Sequence, residues 1–452
     1  MAAQRGKKVL KKAFGGLMGF TKIRAMLVLS AAIAALAACN QSLGVKETIV
    51  DKIEDEKTYN SPAWHGTRAI AQGTAYSAKV GFSGDDVYVL YDDFTARSLK
   101  IVKSSDRGLS WDDPYTIATA SSTGTDDVFG YSNGIAVDNQ NIYISYCLNE
   151  NSPQVYFVHL LDTGSGFTSS GAENISAKTT ADGKQGYDNA IAFDSVNIYI
   201  VYSGWGYAPM FSYRAKTGAS FATPLQIDSN IALGGTRSSR GISMSIEGGG
   251  VRATYFDDST ASSLLKCASF STSSSFPLGY TSSGDGWRTT QNITVGSSIG
   301  NVVDPIAATE SLISFYDPTS MDYKLYEYYL YSVDSDPPSP YGPALVQVCD
   351  LVTIDDSSSD IGRASKLLMN GETLYSAYVD VANNQVKFAI GTKASVSTDY
   401  AFSNQVIDTA GGAHYCCDVV HDSVNSTFYV VYYDSTDGAL KMAKSTDDGL
   451  TW

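Results

Sequence analysis

The side chains best equipped for chemistry in this 452-residue chain recur in short polar segments that lead into apolar runs. These segments are Tyr76-Ser77, Gly130-Tyr131-Ser132-Asn133, Gly186-Tyr187-Asp188-Asn189, Ser239-Arg240, Asn301 to Asp304, Gly362-Arg363 and His414-Tyr415. Turns need Asn, Asp and Gly, but they do not need recurrent Tyr, Arg and His, so a ligand-binding role is expected, with ordinary solvated turns as the alternative. Trp205 and Tyr207, separated by Gly206, offer a flat platform for a sugar ring or a partner's apolar anchor, or else a wedge buried in the core. Hydrolysis of a glycosidic bond ordinarily needs two carboxyl groups about 5 to 9.5 Å apart. Asp188 and Asp304 are the candidates, with Glu150 in reserve. Tyr187 or Tyr415 would serve as a tyrosine nucleophile, and Arg240 and Arg363 would clamp an acidic sugar. None of these residues sits in a diagnostic motif, and hydrolysis therefore stands as the alternative to binding.

A second set of carboxylates, Asp93, Asp257, Asp317, Asp380 and Asp434, follows the aromatic ends of apolar runs. An Asp that opens a hairpin turn bonds its own backbone, and this is the expected role. A circle of carboxylates binding Ca2+ is the alternative, although no spacing resembles a calcium loop, and no other cofactor is implied. There is no G-x-S-x-G elbow, P-loop or H-E-x-x-H, and His65, His159, His414 and His421 lack metal-ligand spacing.

These residues must be positioned by a repeat. Leu90 to Trp111 aligns without a gap on Val431 to Trp452 at an offset of 341. Between them an apolar run closing on an aromatic residue recurs at Ile142–Tyr146, Ile198–Tyr202, Val251–Tyr255, Leu312–Phe315 and Leu374–Tyr378. With Tyr91 and Tyr432 this gives seven units, spaced 55, 56, 53, 60, 63 and 54 residues apart, a period of propeller size. Unit one predicts strands at Tyr76–Phe82, Asp86–Tyr91, Ser98–Lys103 and Trp111–Ala118. Its second strand is apolar on both faces, as a strand packed between two neighbouring sheets requires. The expected fold is therefore all-β, a seven-bladed β-propeller of four-stranded antiparallel blades. The last unit reaches Trp452 without a fourth strand, while Thr67–Gln72 precedes the first unit. That amino-terminal segment is expected to supply the outer strand of blade 7, the alternative being a chain cut short at Trp452.

Ser104-Ser105-Asp106-Arg107-Gly108-Leu109-Ser110-Trp111 and Ser445-Thr446-Asp447-Asp448-Gly449-Leu450-Thr451-Trp452 resemble the Asp-box, or BNR repeat, of the sialidase superfamily. The Asp would accept backbone N–H bonds in a hairpin, Gly would take a positive φ, and Trp would pack between blades. Degenerate copies are expected at Asp162–Phe167, Lys216–Phe221 and Ser283–Trp287. The resemblance implies a β-propeller whose boxes are structural and lie on the face opposite the ligand site. Sialidases usually have six blades, an arginine triad, an Asp acid/base and a Tyr nucleophile assisted by Glu. Their Arg-Ile-Pro signature does not occur here, and Thr67-Arg68-Ala69-Ile70 is too poor a match to assign Arg68. A sialidase-like glycosidase is thus an alternative, and a glycan- or protein-binding propeller is the first expectation.

Met1–Ala38 holds seven of the 32 basic residues and none of the 47 acidic ones. Its apolar stretch, too short to span a bilayer, ends in Leu36-Ala37-Ala38-Cys39, which resembles the lipobox of bacterial lipoproteins. That resemblance implies cleavage before Cys39 and lipidation of its thiol; a soluble secreted protein is the alternative. Met18 is a possible second start. The expected organisation is a signal at 1–38, a tether at 39–63 and the propeller at 64–452, lipid-anchored in the cell envelope. Beyond the signal 25 basic residues face 47 acidic ones, a net charge of −22, which repels nucleic acid. Five cysteines remain beyond Cys39: Cys147, Cys267, Cys349, Cys416 and Cys417. Their odd count leaves at least one thiol unpaired in a monomer, and buried free thiols are expected.

Overall fold

The computed structural model describes residues 67–72, 75, 77–120, 129, 133–148, 154–176, 188–204, 209–227, 242–247, 250–257, 264–271, 291–293, 307–309, 312–317, 320–333, 344–393, 400–409 and 417–452. All of them belong to one compact unit, Trp64–Trp452. The expected signal, tether and Cys39 lie outside the described residues, as does the degenerate box at Ser283–Trp287.

Short runs of β-branched and aromatic residues, each cut by a Gly-, Asp- or Asn-bearing turn, form seven antiparallel sheets. Blade 1 comprises Ala78–Ser83, Asp86–Asp93, Ser98–Ser104 and Tyr115–Thr119. Its outer strand begins four residues later than the sequence predicts, because Trp111 closes the preceding turn and Pro114 cannot donate to the ladder. The inner strands of blades 2 to 7 are Gly134–Asp138, Asn189–Phe193, Ser243–Glu247, Ala307–Thr309, Ile361–Asn370 and Cys417–Asp422. Each inner strand touches those of its two neighbours, and blade 7 touches blade 1, so the seven close a ring. Six sheets have four strands; in blade 2 the outer edge is split into Phe167–Ser169 and Glu173–Asn174, both paired with Gln154–Asp162. The longer spacing between units five and six reflects a long outer hairpin in blade 5, Asp322–Val333 with Ala344–Asp355.

The core lies in the seams between blades. In blade 1's second strand, Val87, Val89 and Tyr91 pack against blade 7, whereas Tyr88 and Leu90 pack against blade 2. A strand alternates its side chains, so one that is buried on both sides must be apolar at every position. The same division recurs in blade 7, where Phe428, Val430 and Tyr432 face blade 6 and Tyr429 and Val431 face blade 1. Each such side chain contributes about 1.5–3 kcal/mol on leaving water.

Arg68–Gln72 pairs antiparallel with Ala439–Ser445 and forms the outer strand of blade 7, as expected, so the two ends of the ring belong to one sheet. A second tie closes the innermost strands: the Val80 N–H of blade 1 donates to Asp418 Oδ2 of blade 7 at 3.0 Å.

Both Asp-boxes have the same internal bonding. Asp106 accepts the Ser110 N–H and hydroxyl at 2.8 and 2.6 Å, and the Ser104 hydroxyl at 2.7 Å. Asp447 accepts from Thr451 and Ser445 in the same way. Gly108 and Gly449 have φ of 85° and 81°, where a Cβ would also meet Met442 and Phe388 of the preceding blade. Trp452 wedges between blades 7 and 6, its ring 4.7 Å from that of Phe388. Phe167 and Phe221 take the equivalent place in the degenerate boxes, packing on Tyr115 of blade 1 and Phe157 of blade 2. Where box aspartates would stand, Asp162 bonds Tyr88 and Lys103 of blade 1, and Lys216 pairs with Asp138 of blade 2 at 2.6 Å. The polarity reverses but the bridge between neighbouring blades persists.

Candidate ligand-binding face

The boxes share one face with the turns joining first and second strands, to which Arg107–Asp85 and His421–Asp448 tie them. The opposite face carries the turns between second and third strands and the segments that lead into the inner strands. On it, turn aspartates bond as the sequence leads one to expect. Asp93 accepts the Ala96 N–H at 2.8 Å, Asp380 the Asn383 N–H at 3.1 Å, and Asp434 the Thr436 N–H at 2.8 Å. Each of Asp93, Asp317 and Asp434 also pairs with a lysine seven residues on: Lys100, Lys324 and Lys441. The side chain of Asp257 lies outside the description. Among the described residues no group of three metal-ligating side chains converges.

Blade 6 departs from this pattern. Lys387, seven residues after Asp380, instead reaches Asp355 on the outer strand of blade 5 at 2.6 Å. The Tyr378 hydroxyl donates to the same carboxylate at 2.6 Å, and the Ser357 N–H does so at 2.9 Å. Burial would raise the Asp355 pKa, but the hydrogen bonds from Lys387, Tyr378 and Ser357 reverse that and hold it below the ordinary carboxylate range. The device recurs one seam further on, where the Tyr432 hydroxyl donates to Asp408 of blade 6 at 2.6 Å and Lys441 lies 3.8 Å away.

The segment after Asp355 is fastened at each step. The Ser358 hydroxyl donates to Asp380 at 2.7 Å, the Val381 N–H to the Asp360 carbonyl at 3.0 Å, and Arg363 Nε to Asp360 Oδ1 at 2.6 Å. Arg363 stands on a doubly bulged stretch of strand, with register shifts on both sides of it. Asp360, Gly362 and Ala364 have φ of 70°, 101° and 48°, so the backbone is left-handed at three of five positions. Asp tolerates that region and Gly adopts it freely, but Ala364 costs about 1–2 kcal/mol there. A Cβ on Gly362 would lie 2.4 Å from that of buried Tyr323. The guanidinium of Arg363 stacks on the Tyr316 ring, 4.6 Å from its centroid. Burial first, and then Asp360, push the Tyr316 pKa up to about 12, against partial relief from Arg363. The resulting constellation presents a fixed, partly exposed guanidinium (28% of its side chain) at the edge of the mouth between blades 5 and 6.

Of the sequence-derived candidates, Arg363 and Asp188 are within the described residues. Asp188 is buried at 2% exposure, its carbonyl accepting the Ser203 N–H, and it lies near Cys147. Burial foremost, with Asp188 adding to it, pushes that thiol up. Tyr131, Tyr187, Trp205, Tyr207, Arg240, Asp304, His414, Tyr415 and Glu150 lie outside the described residues. Cys147 and Cys417 are buried, Cys417 between blades 6 and 7. Tyr316 and Asp360 were not singled out from the sequence. The available signals were the second aromatic after Phe315 and an acid three residues before Arg363.

No protein-family model matches the chain, and no curated protein matches it. Among solved structures, a PL25 ulvan lyase bound to GlcA(1-4)Rha3S is similar at 11% identity and a TM-score of 0.48, over 84% of this chain and 95% of that one. A mutant NanB sialidase from Streptococcus pneumoniae is similar at 11% identity and a TM-score of 0.45, over 87% of this chain and 72% of that one. The Swd1 β-propeller domain of Myceliophteria thermophila is similar at 9% identity and a TM-score of 0.49, over 83% and 99%.

Proposed function

We propose that this chain is a lipid-anchored propeller of the bacterial cell envelope that binds an acidic group of a glycan, or of a surface protein, at the channel mouth through Arg363. The supporting observation is the strained, fastened backbone from Asp360 to Ala364, which sets the guanidinium in one place before any ligand arrives. A planar, always charged fork held in this way suits carboxylate or sulfate recognition.

Glycan-array binding by the wild type, Arg363→Lys and Arg363→Ala tests this. Acidic glycans should bind the wild type, lose roughly ten- to a hundredfold with Ala and recover in part with Lys. Equal binding by all three refutes the proposal. Cleavage of model glycosides by the wild type that is lost in Arg363→Ala would establish a hydrolase instead. The anchor is tested by Cys39→Ser, which should move the protein from the membrane to the soluble fraction and remove lipid from the amino-terminal peptide in mass spectrometry.

A further inference from the structure

The turns between second and third strands, on the face opposite the Asp-boxes, repeat one backbone shape. In blades 1, 5, 6 and 7 the fourth residue after the turn aspartate is left-handed: Arg97, Met321, Asn384 and Gly438, with φ of 50°, 62°, 52° and 60°. Each stands immediately before the third strand, which begins at Ser98, Asp322, Gln385 and Ala439. Gly and Asn suit this position, whereas an arginine there carries backbone strain. The strain is held in place: the Arg97 N–H donates to the Phe94 carbonyl at 3.3 Å, and the Arg97 carbonyl accepts the Ala120 N–H at 3.0 Å. The side chain makes no compensating bond. Among the described residues it forms no ion pair, and its Nε and Nη2 are both enclosed without an acceptor. Asp93, the acid of the same turn, is already committed to the Ala96 N–H at 2.8 Å and to Lys100 at 2.7 Å. Other arginines are answered: Arg68 by the Leu109 carbonyl, Arg107 by Asp85, Arg214 by Glu173 and Arg363 by Asp360. Nε and Nη2 are the donors of one guanidinium edge, the parallel pair that grips a carboxylate or sulfate side-on. A buried N–H without an acceptor is costly, and arginine cannot shed its proton to escape that cost.

We infer that Arg97 is an anion-binding residue on this face of blade 1, taking a carboxylate or sulfate side-on through Nε and Nη2. The group arrives as a free ion or as part of the ligand bound at Arg363. In the second case that ligand carries more than one acidic group, and only this extension rests on the function proposed above. A binding residue that is strained and unanswered in the free protein has a signature that a structural residue lacks: its removal stabilises the fold and weakens binding. Arg97→Gly gives blade 1 the residue that blade 7 has at Gly438, and it should raise the unfolding temperature by about 1–3 °C. Calorimetric titration of inorganic sulfate into the full chain, at constant ionic strength, should show one sulfate fewer in Arg97→Gly than in the wild type. Arg97→Lys, which keeps the charge without the fork, should bind that sulfate about tenfold more weakly. A lower unfolding temperature in Arg97→Gly would show that the guanidinium finds its acceptor within the chain, and would overturn the inference. So would an absence of sulfate binding by the wild type at millimolar concentration, equal binding by Arg97→Gly, or undiminished affinity in Arg97→Lys. The glycan array separates the sources. An acidic glycan that Arg97→Gly binds more weakly than the wild type brings the group itself, and equal binding of every glycan identifies a free-ion site. Loss in Arg363→Ala is read separately, so either arginine can fail without the other.

Discussion

Replacing Asp355 with Asn tests how the seam beneath Arg363 is held. Asp355 and Lys387 expose 2% and 8% of their side chains, so the change leaves an ammonium group buried without its counterion. Removing one partner of a buried pair typically costs 3–5 kcal/mol; because the Asn oxygen can still accept from Tyr378 or Lys387, a loss of about 3 kcal/mol is expected here. Lys387→Met in the same chain removes the stranded charge, and the double variant should recover roughly 2 kcal/mol relative to additivity. Urea unfolding at neutral pH of the wild type, both single variants and the double variant measures this cycle. The pH dependence supplies an independent check. Burial would raise the Asp355 pKa, and the bonds from Lys387, Tyr378 and Ser357 lower it on balance below its unfolded value. The unfolded state thus binds the proton first, and the contribution is complete above the unfolded pKa near about 4 and disappears as pH falls through the folded pKa. The gap between wild type and Asp355→Asn should therefore close in acid. A single-variant cost under about 1 kcal/mol, additive behaviour, or a gap independent of pH would refute the buried-pair account.

Three further outcomes follow from the geometry. Gly362→Ala must place a Cβ at φ 101°, 2.4 Å from the Cβ of Tyr323, and should cost at least about 2 kcal/mol and weaken ligand binding, measured by unfolding and glycan binding together. Asp447→Ala removes the acceptor of the Thr451 N–H and of two hydroxyls and should cost about 1–3 kcal/mol with glycan binding unchanged, because the box lies on the opposite face. Ala71→Pro removes a donor from the strand paired with Ala439–Ser445 and should lower the unfolding temperature and open that edge to limited proteolysis; equal protease resistance would count against closure of blade 7 by this strand.

The ring is secured at two radii by side chains from its first and last blades. Outside, five residues of strand and the Arg68 guanidinium on the Leu109 carbonyl, at 2.9 Å, tie blade 7 to the first Asp-box. Inside, Asp418 holds Val80. Between these, the seams carry Tyr–Asp–Lys latches at Asp355 and Asp408, whose short bonds add direction to packing that is otherwise non-directional.

What the sequence determined by itself is the unit and its number. Seven apolar runs ending on an aromatic residue, two full Asp-boxes and an unplaced amino-terminal segment specified blades, their count and the closing strand. Strand burial and turn chemistry depend on neighbours within a few residues, and these leave a period that can be read along the chain. Arg363 was also visible, as an arginine beside a glycine at the start of an inner strand. Its partners were not. Asp355 meets Tyr378 and Lys387, Tyr316 meets Arg363, and Asp418 meets Val80 only after separate blades have closed on one another. No spacing along the chain encodes a contact across a seam. The double bulge that aims Arg363, and the hold of Asp418 on Val80, were decided by the tertiary structure, because only the closed ring fixes which groups meet across a seam.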